Sequence, residues 1–130
     1  MTHPPAESLR FAILHHRLAD GEHWDFLLEQ GDVLWTWNLE SDPLAGPGGP
    51  IAARRIADHR KLYLTYEGPV APDRGIVARI EGGTYRLTQV SADEVAGELA
   101  GRRLRTAFRL VREVDDRWRL EWRQTSPAGL

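Results

Sequence analysis

The chain of 130 residues contains no cysteine, so disulfide frameworks, iron–sulfur clusters and thiolate zinc sites are excluded. It also lacks any apolar run near the roughly 20 residues of a membrane helix, and Met1-Thr2-His3-Pro4-Pro5 has no charged-then-apolar leader pattern. A soluble, cytoplasmic protein with no membrane partner is the expectation. An excess of one charge is missing as well. Seventeen basic and 19 acidic residues leave a net charge of −2, so anion binding has to come from a local cluster. No internal repeat or low-complexity linker divides the chain. With 42% hydrophobic residues and five tryptophans, the sequence reads as one folded domain over residues 9–124, with tails at 1–8 and 125–130.

Short apolar blocks alternate with turn signals. Arg10 to His16, Trp24 to Glu29 and Val33 to Leu39 read as three strands of a meander, joined at Asp20-Gly21 and at Gln30-Gly31-Asp32. Pro43 to Pro50 and Gly68 to Arg74 read as loops, because proline lacks a ladder donor and glycine a side chain to pack. Periodicity leaves Ile51 to Asp58 and Ala92 to Ala100 open between strand and short helix. Gly75 to Glu81, Thr84 to Val90, Arg102 to Val111 and Arg117 to Arg123 complete a set of short strands with turns every 8–12 residues. The expectation is an all-β fold, a small closed or nearly closed β-barrel with little helix. Trp35, Trp37, Trp118 and Trp122 fall at strand period and read as core, ahead of a base-stacking platform.

Chemistry concentrates at two places. His16 ends the first strand and His23 opens the second, and the two-residue strand period puts Asp25 on the face of His23. Two imidazoles and a carboxylate from one hairpin suit a divalent ion with open coordination positions. Adjacent strand residues point opposite ways, so His15 and His16 compete for the inward position. His16 is preferred, with Phe11 and Ile13 assigned to its face, and the site is expected to line a polar barrel interior. The same three residues are also what unconnected polar hairpin ends look like. The second place is Asp58-His59 with Tyr63, Tyr66 and Glu67 beyond it, where His59 suits a general acid or a phosphate contact as well as a plain loop histidine. Arg54, Arg55, Arg60, Lys61, Arg102, Arg103 and Arg105 form basic clusters, read either as phosphate contacts or as solvated faces.

In order and spacing these segments resemble the 3′-phosphoesterase domain of bacterial DNA ligase D. The similar residues are Phe11 to His16, then His23-Trp24-Asp25-Phe26-Leu27-Leu28-Glu29, then Gly31 to Trp37. Asp58-His59 with Tyr63, Tyr66-Glu67-Gly68, and the segments Leu99 to Leu104, Arg109 to Arg112 and Trp118 to Leu120 follow in the family's order. The resemblance implies a manganese-binding β-barrel, with zinc fitting the same donors, that acts on 3′-phosphate or 3′-ribonucleotide ends of DNA in repair. It implies His16, His23 and Asp25 as metal ligands, and His59 and Tyr63 at the scissile phosphate. Arg54, Arg55 or Arg60 would supply phosphate contacts. Nucleic-acid 3′ ends, and DNA ligase or repair proteins, would be its partners.

Leu14, Leu27, Ser41 and Ala57 stand where the family pattern has Gln, Arg, Lys and an acid. Those replacements define an alternative, a catalytically weakened metal-binding module that docks on nucleic-acid ends or a repair partner. A third reading is a cupin-like oxygenase, since two histidines and a carboxylate also suit Fe(II).

Overall fold

The computed structural model describes residues 9–45 and 49–123, with the side chain of Arg123 left out. The tails assigned to 1–8 and 125–130, and part of the Pro43 to Pro50 loop, lie outside those residues. Nine strands follow in chain order: β1 Leu9–Leu18, β2 Gly21–Gln30, β3 Val33–Leu39, β4 Ile51–Arg60, β5 Gly68–Pro69, β6 Ile76–Val90, β7 Glu94–Gly101, β8 Arg105–Val114 and β9 Arg117–Arg123. A single 3-10 turn, Lys61–Leu64, separates β4 from β5. Every pairing is antiparallel. The order β1-β2-β3-β4-β9-β8-β7-β6 returns to β1 through a β1–β6 pairing, which closes the barrel, and β5 adds to the start of β6. Closure leaves no long unpaired edge to template association.

The meander forms where the turn chemistry allows it. Leu18 pairs with Gly21, so Ala19 and Asp20 make the first turn, and Gly31 adopts the positive φ of 59° that the second turn needs. Both ambiguous segments are strands: β4 replaces the strand-or-helix choice at Ile51 to Asp58, and β7 covers most of Ala92 to Ala100. Gly75 to Glu81 and Thr84 to Val90 join into one 15-residue strand, β6. Gly82 and Gly83 run through as ladder residues beside β1, and the break between two strands that the glycine pair suggests does not occur.

The core sits inside the barrel. Phe11 and Ile13 of β1 meet Phe26 and Leu28 of β2, Trp37 and Leu39 of β3, Tyr85, Leu99, Phe108 and Leu110, and Trp118 and Leu120 of β9. Trp24, Trp35 and Trp122 pack partly buried against the same cluster, so all five tryptophans serve the core. A second, smaller cluster lies on the outer wall, where Ala12, Leu14, Leu27, Leu34 and Val77 are covered by Leu64 of the 3-10 turn, with Tyr63, Tyr66 and Val70 against them. The segment from Lys61 to Gly75 thus straps the outside of β6, β1, β2 and β3. That strap makes the outer wall concave.

Candidate metal centre

The strand parity of β1 decides which histidine meets β2 on the strapped wall. Phe11 and Ile13 point into the barrel, whereas Ala12 and Leu14 belong to the outer cluster, and His16 follows Leu14 by two residues. The β1–β2 register runs without a shift and sets His16 opposite His23 and Leu14 opposite Asp25. His16 therefore does not share a face with Phe11 and Ile13, and the site lies on the outer wall instead of in the barrel interior. The interior is taken chiefly by aromatic and aliphatic side chains. His15 takes the opposite parity. It stacks on Trp24 at 4.8 Å between ring centroids, and its Nε2 lies 2.6 Å from Glu22 Oε1.

His16, His23 and Asp25 offer three donor atoms that all lie within 4.8 Å of one another. His16 Nδ1 is 3.1 Å from His23 Nε2 and 3.7 Å from the Asp25 carboxylate, and His23 Nε2 is 3.1 Å from Asp25 Oδ1. His16 Nε2–H donates to the backbone carbonyl of Arg74 at 2.6 Å. That bond fixes the tautomer and leaves Nδ1 as a bare lone pair aimed at the other two donors. Interaction with Asp25 raises the His16 pKa, against burial. Burial works to raise Asp25, but interaction with His16 and then His23 outweighs it and the carboxyl titrates below its ordinary range.

Asp25 is 2% exposed, and no hydrogen bond of ordinary geometry reaches its Oδ1, although His23 Nε2 stands 3.1 Å away. Converging lone pairs around a buried, unpartnered carboxylate oxygen are a donor set that fits a divalent cation.

A pocket of about 270 Å³ opens beside these donors. Leu14, His16 and Asp25 form one side, Asp58, His59 and Arg60 of β4 another, and Tyr63, Val70 and Arg74 of the strap a third. A register shift between Leu34 and Thr36 sets His59 opposite Leu34 on the outer wall. His59 Nδ1 donates to the Ala57 carbonyl at 3.1 Å, which leaves Nε2 free for proton exchange, and its ring meets Tyr63 edge-on at 5.7 Å. The 3-10 turn begins immediately after β4, so Tyr63 lands over the histidine that precedes it by four positions.

The structure brings together His16, His23, Asp25, His59 and Tyr63, and adds Arg60 to them. It does not bring Arg54 or Arg55 there. Arg54 is exposed and lies 3.8 Å from Asp116. The Arg55 guanidinium stacks 4.3 Å above Trp37, on the barrel-core parity of Ile51 and Ala53, and desolvation lowers its pKa. Arg102 and Arg103 donate their backbone N–H groups to the buried Glu81 carboxylate at 2.9 and 2.7 Å, so that stretch of the basic run is ordered as a turn. Sequence reasoning missed Arg74, which reaches the pocket from a loop with no motif of its own. The β2–β3 register sets Asn38 opposite Asp25.

Residues 14–112 match the family described as the DNA Ligase D 3′-phosphoesterase domain. The chain is 30% identical over 115 residues to the multifunctional non-homologous end joining protein LigD of Mycobacterium bovis, a match covering 83% of this chain and 15% of that protein. The multifunctional non-homologous end joining DNA repair protein LigD of Mycobacterium tuberculosis matches at the same identity and over the same shares. The chain thus spans about 15% of the length of these relatives. Among the described residues, no helix is long and apolar enough to cross a membrane.

Proposed function

The chain belongs to the DNA ligase D 3′-phosphoesterase domain family, and from that premise we propose that it hydrolyses phosphoesters at 3′ ends of DNA in repair. The substrate in this reading is a 3′-phosphate or a 3′-terminal ribonucleotide. The observation that carries the proposal is the set of three converging donors, His16, His23 and Asp25, of which His16 and Asp25 share one pocket with His59. His16, His23 and Asp25 would hold a divalent cation, manganese or zinc by donor type, which when bound would polarise a phosphoryl oxygen and lower the pKa of a bound water.

The chain's own residues do the rest. Arg74 supplies the carbonyl that orients His16, and Asp25 contributes the anionic donor. His59 gives or takes a proton at Nε2, held in orientation by its Nδ1 bond to Ala57 and by the Tyr63 ring. Arg60 and Arg74 line the pocket and are placed to balance phosphate charge. Nucleic-acid 3′ ends are the partner in this reading. DNA ligase or other repair proteins join them, because the mycobacterial relatives are multifunctional end-joining proteins.

The test is release of inorganic phosphate from a primer–template bearing a 3′-phosphate, with manganese and then with a chelator. The expected result is metal-dependent release that falls at least 10²-fold in Asp25→Ala and His23→Ala. Release no greater than that of His16→Ala would contradict the proposal.

One observation favours a second reading, a metal-binding module that docks without turnover. Leu27 is fully buried in the outer cluster under the strap and offers the pocket no donor, and Ser41 and Ala57 are exposed without a charge to contribute. Stoichiometric binding of 3′-phosphate ends with no multiple turnover would select it.

A further inference from the structure

Asp25 has two in-register neighbours on the outer wall: Leu14 of β1 and Asn38 of β3. Leu14 is apolar and buried, so Asn38 is the polar one of these two register partners, beside the imidazoles of His16 and His23. Among the described residues, four buried side-chain nitrogen or oxygen atoms lack a hydrogen-bond partner, and two of them are Asp25 Oδ1 and Asn38 Oδ1. The other two are indole N–H groups of Trp37 and Trp122. The two orphaned oxygens thus belong to directly opposed residues, whose Cβ atoms in an antiparallel pair stand about 4.5–5.5 Å apart.

Two neighbouring acceptors with no hydrogen bond of ordinary geometry are unfavourable for the protein by itself, since a buried unsatisfied group carries a desolvation penalty. The imidazole of His23, 3.1 Å from Asp25 Oδ1, serves that oxygen alone, and among the described residues no arginine or lysine is paired with either. Arg54, opposite Asn38 on its other flank, is turned towards Asp116 and is mostly exposed. The group that satisfies a carboxylate oxygen and a carboxamide oxygen together is a positive ion.

Resting on the metal reading above, we infer that Asn38 is a fourth member of the metal centre, its carboxamide oxygen joining His16, His23 and Asp25 as a neutral ligand. A second hard oxygen changes which ion the site prefers. Two imidazoles and one carboxylate suit tetrahedral zinc with one open position. An added carbonyl-type oxygen suits an ion that takes more oxygen ligands, such as manganese or magnesium. Asn38 then acts as a specificity-determining residue that shifts the site from zinc towards manganese.

The experiment titrates the full chain with manganese and, separately, with zinc, reading affinity by calorimetry and by loss of the free-manganese paramagnetic signal. Wild type, Asn38→Ala and Asn38→Asp are compared, and thermal unfolding of each metal-free protein is recorded. Asn38→Ala is expected to weaken manganese about tenfold or more and zinc less than threefold. Asn38→Asp, which keeps an oxygen, restores manganese binding. The metal-free Asn38→Ala protein melts no lower than wild type, because it loses an orphaned acceptor. Unchanged manganese affinity in Asn38→Ala, equal losses for both metals, or equal weakening by Ala and Asp would each overturn the inference while leaving the three-ligand site standing. A wild-type protein that binds neither ion would overturn the metal reading itself.

Discussion

Glu29 lies on the outer wall beneath two cations. It accepts from the backbone and guanidinium of Arg10 and lies 2.9 Å from Lys61 Nζ, and the Arg10 hydrogen bond leads in pushing its pKa down to about 2. A carboxyl whose folded value sits below its unfolded one stabilises the protein above the unfolded value near 4.3, and the contribution is lost as pH falls towards 2. With discount for screening around the half-exposed Arg10, that contribution is on the order of 2 kcal/mol at neutral pH. Denaturant melts between pH 6 and pH 2.5 should show it, and Glu29→Gln should flatten the acid limb of the stability curve. His59 separates chemistry from metal binding. His59→Ala is expected to lower kcat by 10²–10⁴ with manganese affinity unchanged, measured by phosphate release beside a metal titration. The residue types at these positions were legible from the sequence because strand period and spacing place them. What was not legible was the side of the wall. Counting from His16 gives the right partner across the hairpin, but only the position of Phe11 and Ile13 inside the core shows that His16 faces out.

At the scale of elements, the strap from Lys61 to Gly75 turns a flat wall into a pocket. It ends at Gly75, where φ is +79° and an added Cβ would fall 2.0 Å from the Arg17 carbonyl oxygen. Gly75 follows Arg74, whose carbonyl holds His16. Gly75→Ala is therefore expected to cost more than about 1 kcal/mol and to weaken manganese binding together with stability, read by thermal melts with and without the ion. An Ala variant as stable as wild type would show that the turn tolerates another path. The strap was the part of the fold least visible in sequence. Gly68 to Arg74 carries loop signals, and nothing in it says that it folds back over Leu14 and Leu27. The strands were easier, because alternation around tryptophan and leucine fixes their faces. The join at Gly82-Gly83 was missed because glycine signals a break unless tertiary pairing with β1 overrides it.

For the molecule as a whole, the closed barrel is a support that the site borrows without entering. Its inside carries the large aromatic core, while all three candidate metal donors project from one hairpin on the outside. Binding of an ion to the folded chain alone stabilises it by mass action, about 2.7 kcal/mol at a hundredfold excess over Kd. Manganese at that level should raise the melting temperature by several degrees, with EDTA reversing the shift and Asp25→Ala abolishing it. The fold class was open to a sequence reading because short strands and regular turns admit few solutions for a single cysteine-free domain. The expected closed or nearly closed barrel is the one found, but which strands close it was not legible, since the β1–β6 pairing joins residues 59 to 76 positions apart that no local pattern links.

His16, His23 and Asp25 are proposed to enclose one divalent cation on the outer wall. A calorimetric titration of the purified chain with manganese tests this most directly. The expected result is saturable uptake of one ion per chain, lost in Asp25→Ala although that variant remains folded by circular dichroism. No uptake by the wild-type chain, or the same uptake by the folded Asp25→Ala variant, would contradict it.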